Sequence, residues 1–135
     1  MKWRIMLVVS LSLIFVSHSL DAKDRIFSVV FNVPLENELT DMVRSFVTRE
    51  LRELPDVKLV EKIKHGTGQY FISVVPQQVK LTGGRVVGVV VSFVIQDGDN
   101  IMHDVLIGPS DNLKGLCEKV VSIFDVRALE PYRKK

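Results

Sequence analysis

The chain has 135 residues, of which 47% are hydrophobic and 25% are charged, and its net charge at pH 7 is only +2. This length suits one ordinary domain, and so small a charge argues against a nucleic-acid binder, which would need a strongly basic face. Cys117 is the single cysteine, so no intrachain disulfide can form and the core must hold the fold.

The first two dozen residues have the pattern of an export signal. Two basic residues are followed by an apolar stretch of about a dozen residues, Ile5 to Val16. This stretch is shorter than the roughly 18 residues expected of a membrane span. We therefore predict a signal peptide over residues 1–22, cleaved after Ser19 or Ala22, and a periplasmic or secreted protein without a lipid anchor. The remaining residues, 23–135, are predicted to form a single domain.

The mature chain opens with a predicted strand and a predicted helix. Ile26 to Val33 alternates in the manner of a strand with one buried face. Pro34 ends this strand and is suited to open a helix. An apolar stripe at steps of three and four then predicts an amphipathic helix that Pro55 ends. The stripe consists of Leu35, Leu39, Met42, Val43, Phe46, Val47, Leu51 and Leu54.

Four further strands and a second helix complete the predicted order. The strands are Val57 to Val60, Tyr70 to Val75, Val86 to Ile95 and Ile101 to Ile107. The second of these continues towards Leu81 if Pro76 takes a bulge or edge position. Asp97 to Asn100 predicts a hairpin turn.

Ser110 or Asp111 is expected to cap the last helix. The buried stripe of this helix is predicted to be Leu113, Leu116, Cys117, Val120, Val121 and Phe124. Pro131 is expected to end the ordered region and to leave a frayed basic tail, 133–135. The order β-α-β-β-β-β-α predicts a two-layer α/β sandwich of the α+β type, with a mostly antiparallel sheet and both helices on one face.

Arg49-Glu50-Leu51 in the first helix and Asp111 to Cys117 at the start of the last helix complete an element order that resembles a known domain. It is similar to the amino-terminal domain of the periplasmic Tol-system propeller protein and to small envelope-assembly domains of like shape. The propeller repeats of the Tol protein are absent. The resemblance implies a non-catalytic adaptor that docks to envelope proteins.

The polar loop Lys62 to Gln69 is the candidate for ligand binding. Its glycines and lysines suggest a phosphate cradle, but such a cradle needs a helix immediately afterwards and here a strand follows. The alternative function is therefore a small-ligand or envelope-glycan binder. It would use Lys62, Lys64, His65 and Tyr70.

Catalytic and metal-binding patterns are not found in the sequence. No histidine lies at ligand spacing from a second histidine or from the cysteine, so we predict no metal site, no cofactor and no enzymatic activity. Cys117 is expected to be a small buried hydrophobe. The alternative, an intermolecular disulfide, requires an exposed thiol.

The long valine-rich strand is apolar on both of its faces. A strand with one wet face should alternate apolar and polar residues. One face here carries bulky side chains that suit the helices, and the other carries Val86, Gly88, Val90, Ser92 and Val94. Either this second face is covered by the tail or is merely half-exposed, or it is an interaction site. We favour an interaction domain that binds an envelope protein or itself.

Overall fold

The computed structural model describes residues 25–63 and 68–135. The predicted signal segment and residues 64–67 of the candidate loop, among them Lys64 and His65, lie outside them. The elements are β1 (Phe27–Asn32), α1 (Glu38–Glu53), β2 (Val57–Leu59), β3 (Gln69–Lys80), β4 (Val86–Asp97), β5 (Asn100–Gly108), α2 (Leu113–Phe124) and a short α3 (Glu130–Arg133). The predicted order and the α+β class are confirmed. None of the helices in the described ranges is long and apolar enough to cross a membrane.

The five strands form one mixed sheet in the order β2-β1-β3-β4-β5. β1 lies between β2 and β3 and is parallel to both, whereas β3, β4 and β5 form an antiparallel meander. The two antiparallel ladders contain 10 and 9 residue pairs and the two parallel ladders 3 and 5, so the sheet is mostly antiparallel, as predicted. β2 is parallel to β1 because α1 carries the chain back before β2 begins, as in any βαβ unit.

α1 starts three residues later than Leu35, where its predicted apolar stripe began. The Asn37 side chain accepts a hydrogen bond from the Thr40 backbone N–H (3.0 Å), and the Thr40 hydroxyl accepts one from the Asn37 N–H (2.8 Å). This reciprocal capping box satisfies two backbone donors that the first helical turn leaves free. Asn37, and not Pro34, therefore sets the helix start, and Leu35 stays outside the helix and exposed.

β3 passes through Pro76 without a break, as an edge position would allow. β1 pairs with β3 only as far as Asn32 opposite Ser73, so β3 has no neighbour on that side at Pro76. The missing N–H of proline therefore costs no ladder hydrogen bond. The irregularity in register lies further on, between Val79 and Lys80.

The core lies between one sheet face and the two long helices. The α2 stripe predicted from the sequence is buried at every position, and α1 buries Val43, Val47 and Leu51. Tyr70 packs edge-on against Phe27 and Phe124, with ring centroids 6.0 and 5.3 Å away. The helices thus cover one face of the sheet, which leaves the other face as the surface of interest.

The carboxyl-terminal segment is ordered, contrary to the predicted end at Pro131 and the frayed tail. A π-helical turn, Asp125–Leu129, joins α2 to α3, and Pro131 lies in the first turn of α3, where its missing N–H is harmless. Arg133 forms ion pairs with Asp56 and Asp125 that fix the segment.

The predicted cap of α2 is also wrong. Ser110 and Asp111 form a 3-10 turn before the helix, and no side-chain hydrogen bond caps its first residue.

Candidate functional site

The sheet face turned away from the helices is the candidate site, and we call it the open face. It is defined by the outward residues of β3, β4 and β5, none of which is buried. They are Phe71, Ser73, Val75, Gln77, Val79, Val90, Ser92, Val94, Gln96, Ile101, His103, Val105 and Ile107.

Strand register brings these residues together. Side chains of residues directly opposite each other in neighbouring strands point to the same face. Ser92 lies opposite Val75 on one side and Val105 on the other, and Val94 lies opposite Ser73 and His103. Two rows therefore run across three strands, and all their side chains are small or β-branched except His103.

Exposure of apolar side chains increases from the interior of the sheet towards β5. Val75 is 37% exposed on β3, whereas Val105, Ile101 and Ile107 are 43%, 68% and 74% exposed on β5. β5 is an edge strand, so its outward side chains have neighbours on one side only. The apolar surface is therefore continuous across β3 and β4 and most accessible along β5.

None of the thirteen residues that define the open face is Asp, Glu, Lys or Arg. The lysines on the same side of the sheet lie at its margins: Lys80 is opposite Val86 at the far end, and Lys58 is on the edge strand β2. The His103 Nε2 lies 2.9 Å from the Ser92 hydroxyl. The two polar side chains at the centre of the face thus satisfy each other. A large uncharged apolar surface of this kind marks an interaction site more often than an ordinary solvated surface.

The structure confirms the two faces that the sequence predicts for β4. Val89, Val91 and Phe93 are buried towards the helices, while Val90 and Ser92 are half-buried on the open face. The other predicted site residues are Val94, which shares this face, and Val86 and Gly88, which lie at its far end.

Gly88 lies at a close approach of two strands. A Cβ there would come within 3.0 Å of the Gly108 carbonyl oxygen, so this end of the face admits only a very small side chain.

Sequence reasoning missed the contribution of β5 to the site. Ile101, Val105 and Ile107 are the most exposed apolar residues of the open face, yet none was named as a candidate. Their spacing in the sequence was a usable signal, because apolar residues two or four positions apart in a strand share one face. Only the register against β4 shows that this face is the same one.

The structure places Tyr70 away from the candidate ligand loop. Its side chain is 1% exposed, and its hydroxyl donates a 3.2 Å hydrogen bond to the Ala128 carbonyl. Burial raises the pKa of this phenol well above its usual range. Tyr70 is therefore a core residue, because the alternation of β3 turns it inwards. Lys62 is exposed, and Lys64 and His65 lie outside the described residues.

Cys117 is fully buried on the inner face of α2, as expected of a small hydrophobe. Burial, reinforced by the Glu118 and Glu50 carboxylates, raises the pKa of its thiol to about 12. An intermolecular disulfide would need this thiol exposed, so that alternative is wrong for the folded domain.

A shallow groove beside the start of α1 is the other notable surface. Glu36, Glu38 and Asp41 surround the side chains of Met42 and Phe46. Asp41 forms an ion pair with Arg44 (3.3 Å). Within residues 25–63 and 68–135, no group of three or more His, Cys, Asp or Glu residues could hold a metal ion.

Comparisons with known proteins identify no family for this chain. No family model matches the chain, and no curated protein matches it. Among solved structures, a single-residue variant of the PelC dodecamer from Paraburkholderia phytofirmans is similar, with 20% identity and a TM-score of 0.46. The match covers 73% of this chain and 86% of that one. A likeness at this level carries no argument about function.

Proposed function

We propose that this chain is a non-enzymatic interaction domain, exported to the periplasm or secreted, that binds a protein partner or itself through the open face. The observation that supports the proposal is the uncharged apolar surface of β3, β4 and β5. Docking in envelope assembly, implied by the resemblance to the Tol-system domain, stays a prediction. So does removal of the signal peptide, since its residues are outside those described.

Burial of the open face would provide the free energy for docking. Fully burying a valine or isoleucine side chain is worth about 1.5–3 kcal/mol relative to leaving it exposed. Ile107, Ile101 and Val105 are each partly exposed, so a partner that covers them recovers on the order of 1 kcal/mol apiece. No Asp, Glu, Lys or Arg among the residues of the face has to be desolvated in return, which removes one large opposing cost.

A pair of matched double variants tests the proposal. Val90→Asp with Ser92→Lys places two charges at the centre of the open face. Ser122→Lys with Val126→Asp introduces the same two residue types on the opposite layer, where both positions are exposed. Chemical cross-linking in intact cells should give discrete adducts with the wild-type protein and with the control. The face variant should lose them.

Thermal unfolding of both purified variants checks that each is folded. Adducts that persist in a folded face variant would contradict the proposal. Adducts lost equally in both variants would also contradict it, because the open face would then have no special role.

A further inference from the structure

We propose that the occupant of the open face is a second copy of this chain, packed face to face about a two-fold axis. This inference rests on the proposed function and specifies its partner. Three features carry it: the area of the face, its lack of charge, and the chemistry of the neighbouring sheet edge.

The area of the open face suits a pair of identical domains. Strands lie about 4.8 Å apart and rise about 3.4 Å per residue, so three strands over the nine residues of β5 project roughly 14 by 30 Å. Corrugated side chains make the accessible area larger than this projection. The result is on the order of 500–600 Å² per copy, close to the lower limit of stable interfaces, about 600 Å² per partner. We therefore expect dissociation at micromolar concentrations.

The lack of charge favours a copy over a different partner. A two-fold axis sets a surface against itself, so any Asp, Glu, Lys or Arg near the axis would meet its own kind. None of the residues that define the open face is charged, and Lys58 and Lys80 lie at its margins, so no like charges meet near an axis through its centre. A strongly basic or acidic partner, in contrast, would find no charge to pair with. Homodimer interfaces are also the more apolar class.

The side chains at the centre of the face allow two sheets to approach closely. Stacked sheets pack about 10 Å apart with their strands near −30° to each other. Val90, Ser92 and Val94 are small enough for that spacing. The Ser92 hydroxyl and the His103 Nε2 already have each other as partners, so burying the pair does not leave these two groups unsatisfied.

Pairing through the edge of β5 is the competing arrangement, and the structure disfavours it. Counting from the two-residue turn between Asp97 and Asn100 places Ser92 and Val105 in a non-hydrogen-bonded pair, so the Val105 N–H points to the free edge. That N–H donates a 2.8 Å hydrogen bond to the Asp104 carboxylate. An edge partner would have to break this bond, whereas a face partner would leave it intact.

Sedimentation velocity of the protein, expressed from its full-length reading frame and purified without detergent, tests the inference. Val75→Lys places a charge on β3, two strands inside the edge, where it disrupts face packing but not β5 edge pairing. Val126→Lys is the matched control, a valine 51% exposed on the helix side of the domain. We expect twice the monomer mass for the wild type and the control, and the monomer mass for Val75→Lys.

Each other outcome has a definite meaning. A Val75→Lys protein that keeps twice the monomer mass overturns face-to-face packing in favour of the edge. If thermal unfolding shows that this variant does not fold, Ser92→Lys at the same face replaces it. A wild-type protein that stays monomeric at ~100 µM, well above micromolar dissociation constants, overturns the second copy as occupant. In that case, envelope adducts still lost by the double face variant would indicate a different protein, and unchanged adducts would refute the proposed function as well.

Discussion

Arg133 is the residue through which the carboxyl-terminal segment is fixed to the domain. Its Nε and Nη2 donate to the two Asp56 carboxylate oxygens at 2.6 and 2.7 Å, and its Nη1 lies 2.8 Å from Asp125 Oδ1. Arg133→Met keeps much of the side-chain length and removes all three contacts. The Asp56 and Asp125 carboxylates then lose the guanidinium group that pairs with both of them.

The expected loss follows from the geometry and from solvent screening. Exposed ion pairs contribute about 0.2–1 kcal/mol each, and bidentate arginine–carboxylate pairs lie at the upper end. Side-chain exposure here is 31% for Arg133, 22% for Asp56 and 28% for Asp125, so screening is partial. We expect Arg133→Met to lower the free energy of unfolding by about 1–2 kcal/mol in urea titrations near pH 7, which corresponds to a fall of roughly 4–8 °C in Tm.

The same loss should depend on pH with a definite sign. The hydrogen bond from Arg133 is the main cause that lowers the pKa of Asp56 below its usual value of 3.8. Stabilisation from this pair is therefore fully present above pH ~4 and is lost as the pH falls through the lowered pKa. The difference between wild type and Arg133→Met should shrink between pH 6 and pH 3.

Lys134→Met is the control for this prediction, since it breaks only the exposed i,i+4 pair with Glu130. It should leave the unfolding free energy almost unchanged, because solvent screens this pair. A difference for Arg133→Met that is as large at pH 3 as at pH 6, or no larger than that of the control, would refute the reasoning.

Two buried groups give further tests. The Cys117 thiol, with its pKa raised to about 12 by burial, should not react with a disulfide reagent at pH 8 until the protein is denatured, and fast reaction of the native protein would show that the α2 stripe opens. Tyr70→Phe removes the hydrogen bond to the Ala128 carbonyl but keeps the ring, so calorimetry should show a loss of about 0.5–1.5 kcal/mol, against about 3–5 kcal/mol for Tyr70→Ala. Equal losses for the two Tyr70 variants would mean that the ring does not pack as described.

Local periodicity explains why the second helix and the long strand were predicted well. Every residue of the stripe from Leu113 to Phe124 is buried, and the two faces of β4 are assigned correctly. In both elements an unbroken period of 3.6 or 2 decides which side chains share a face, and that decision needs no information from elsewhere in the chain.

Predictions failed where contacts with distant parts of the chain determine whether a residue is buried or ordered. Met42 belongs to the predicted α1 stripe but is 44% exposed, because α2 and the sheet cover a narrower arc of that helix than its apolar residues occupy. Pro131 was expected to end the ordered region, yet Arg133 beyond it is bound to Asp56, which lies 77 residues earlier in the sequence. A contact of that separation leaves no trace in local composition or period.

Part of the candidate site was predictable from the sequence, and part depended on the tertiary structure. Val90, Ser92 and Val94 were predicted from β4 alone, while Ile107 and Val105 joined them only through the register of β5. Tyr70 was predicted to belong to the ligand loop, but it is a core residue. Its position in β3 turns its ring towards Phe124.

The sequence by itself determined the α+β class, the order of the elements and the inward faces of α2 and β4, because each follows from a period written in adjacent residues. Only the tertiary structure decided that β1 is parallel to both of its neighbours. It also decided that three strands join their outward residues into one uncharged face. These features depend on which strands pair and in what register, and pairing is fixed by the burial of all the elements together.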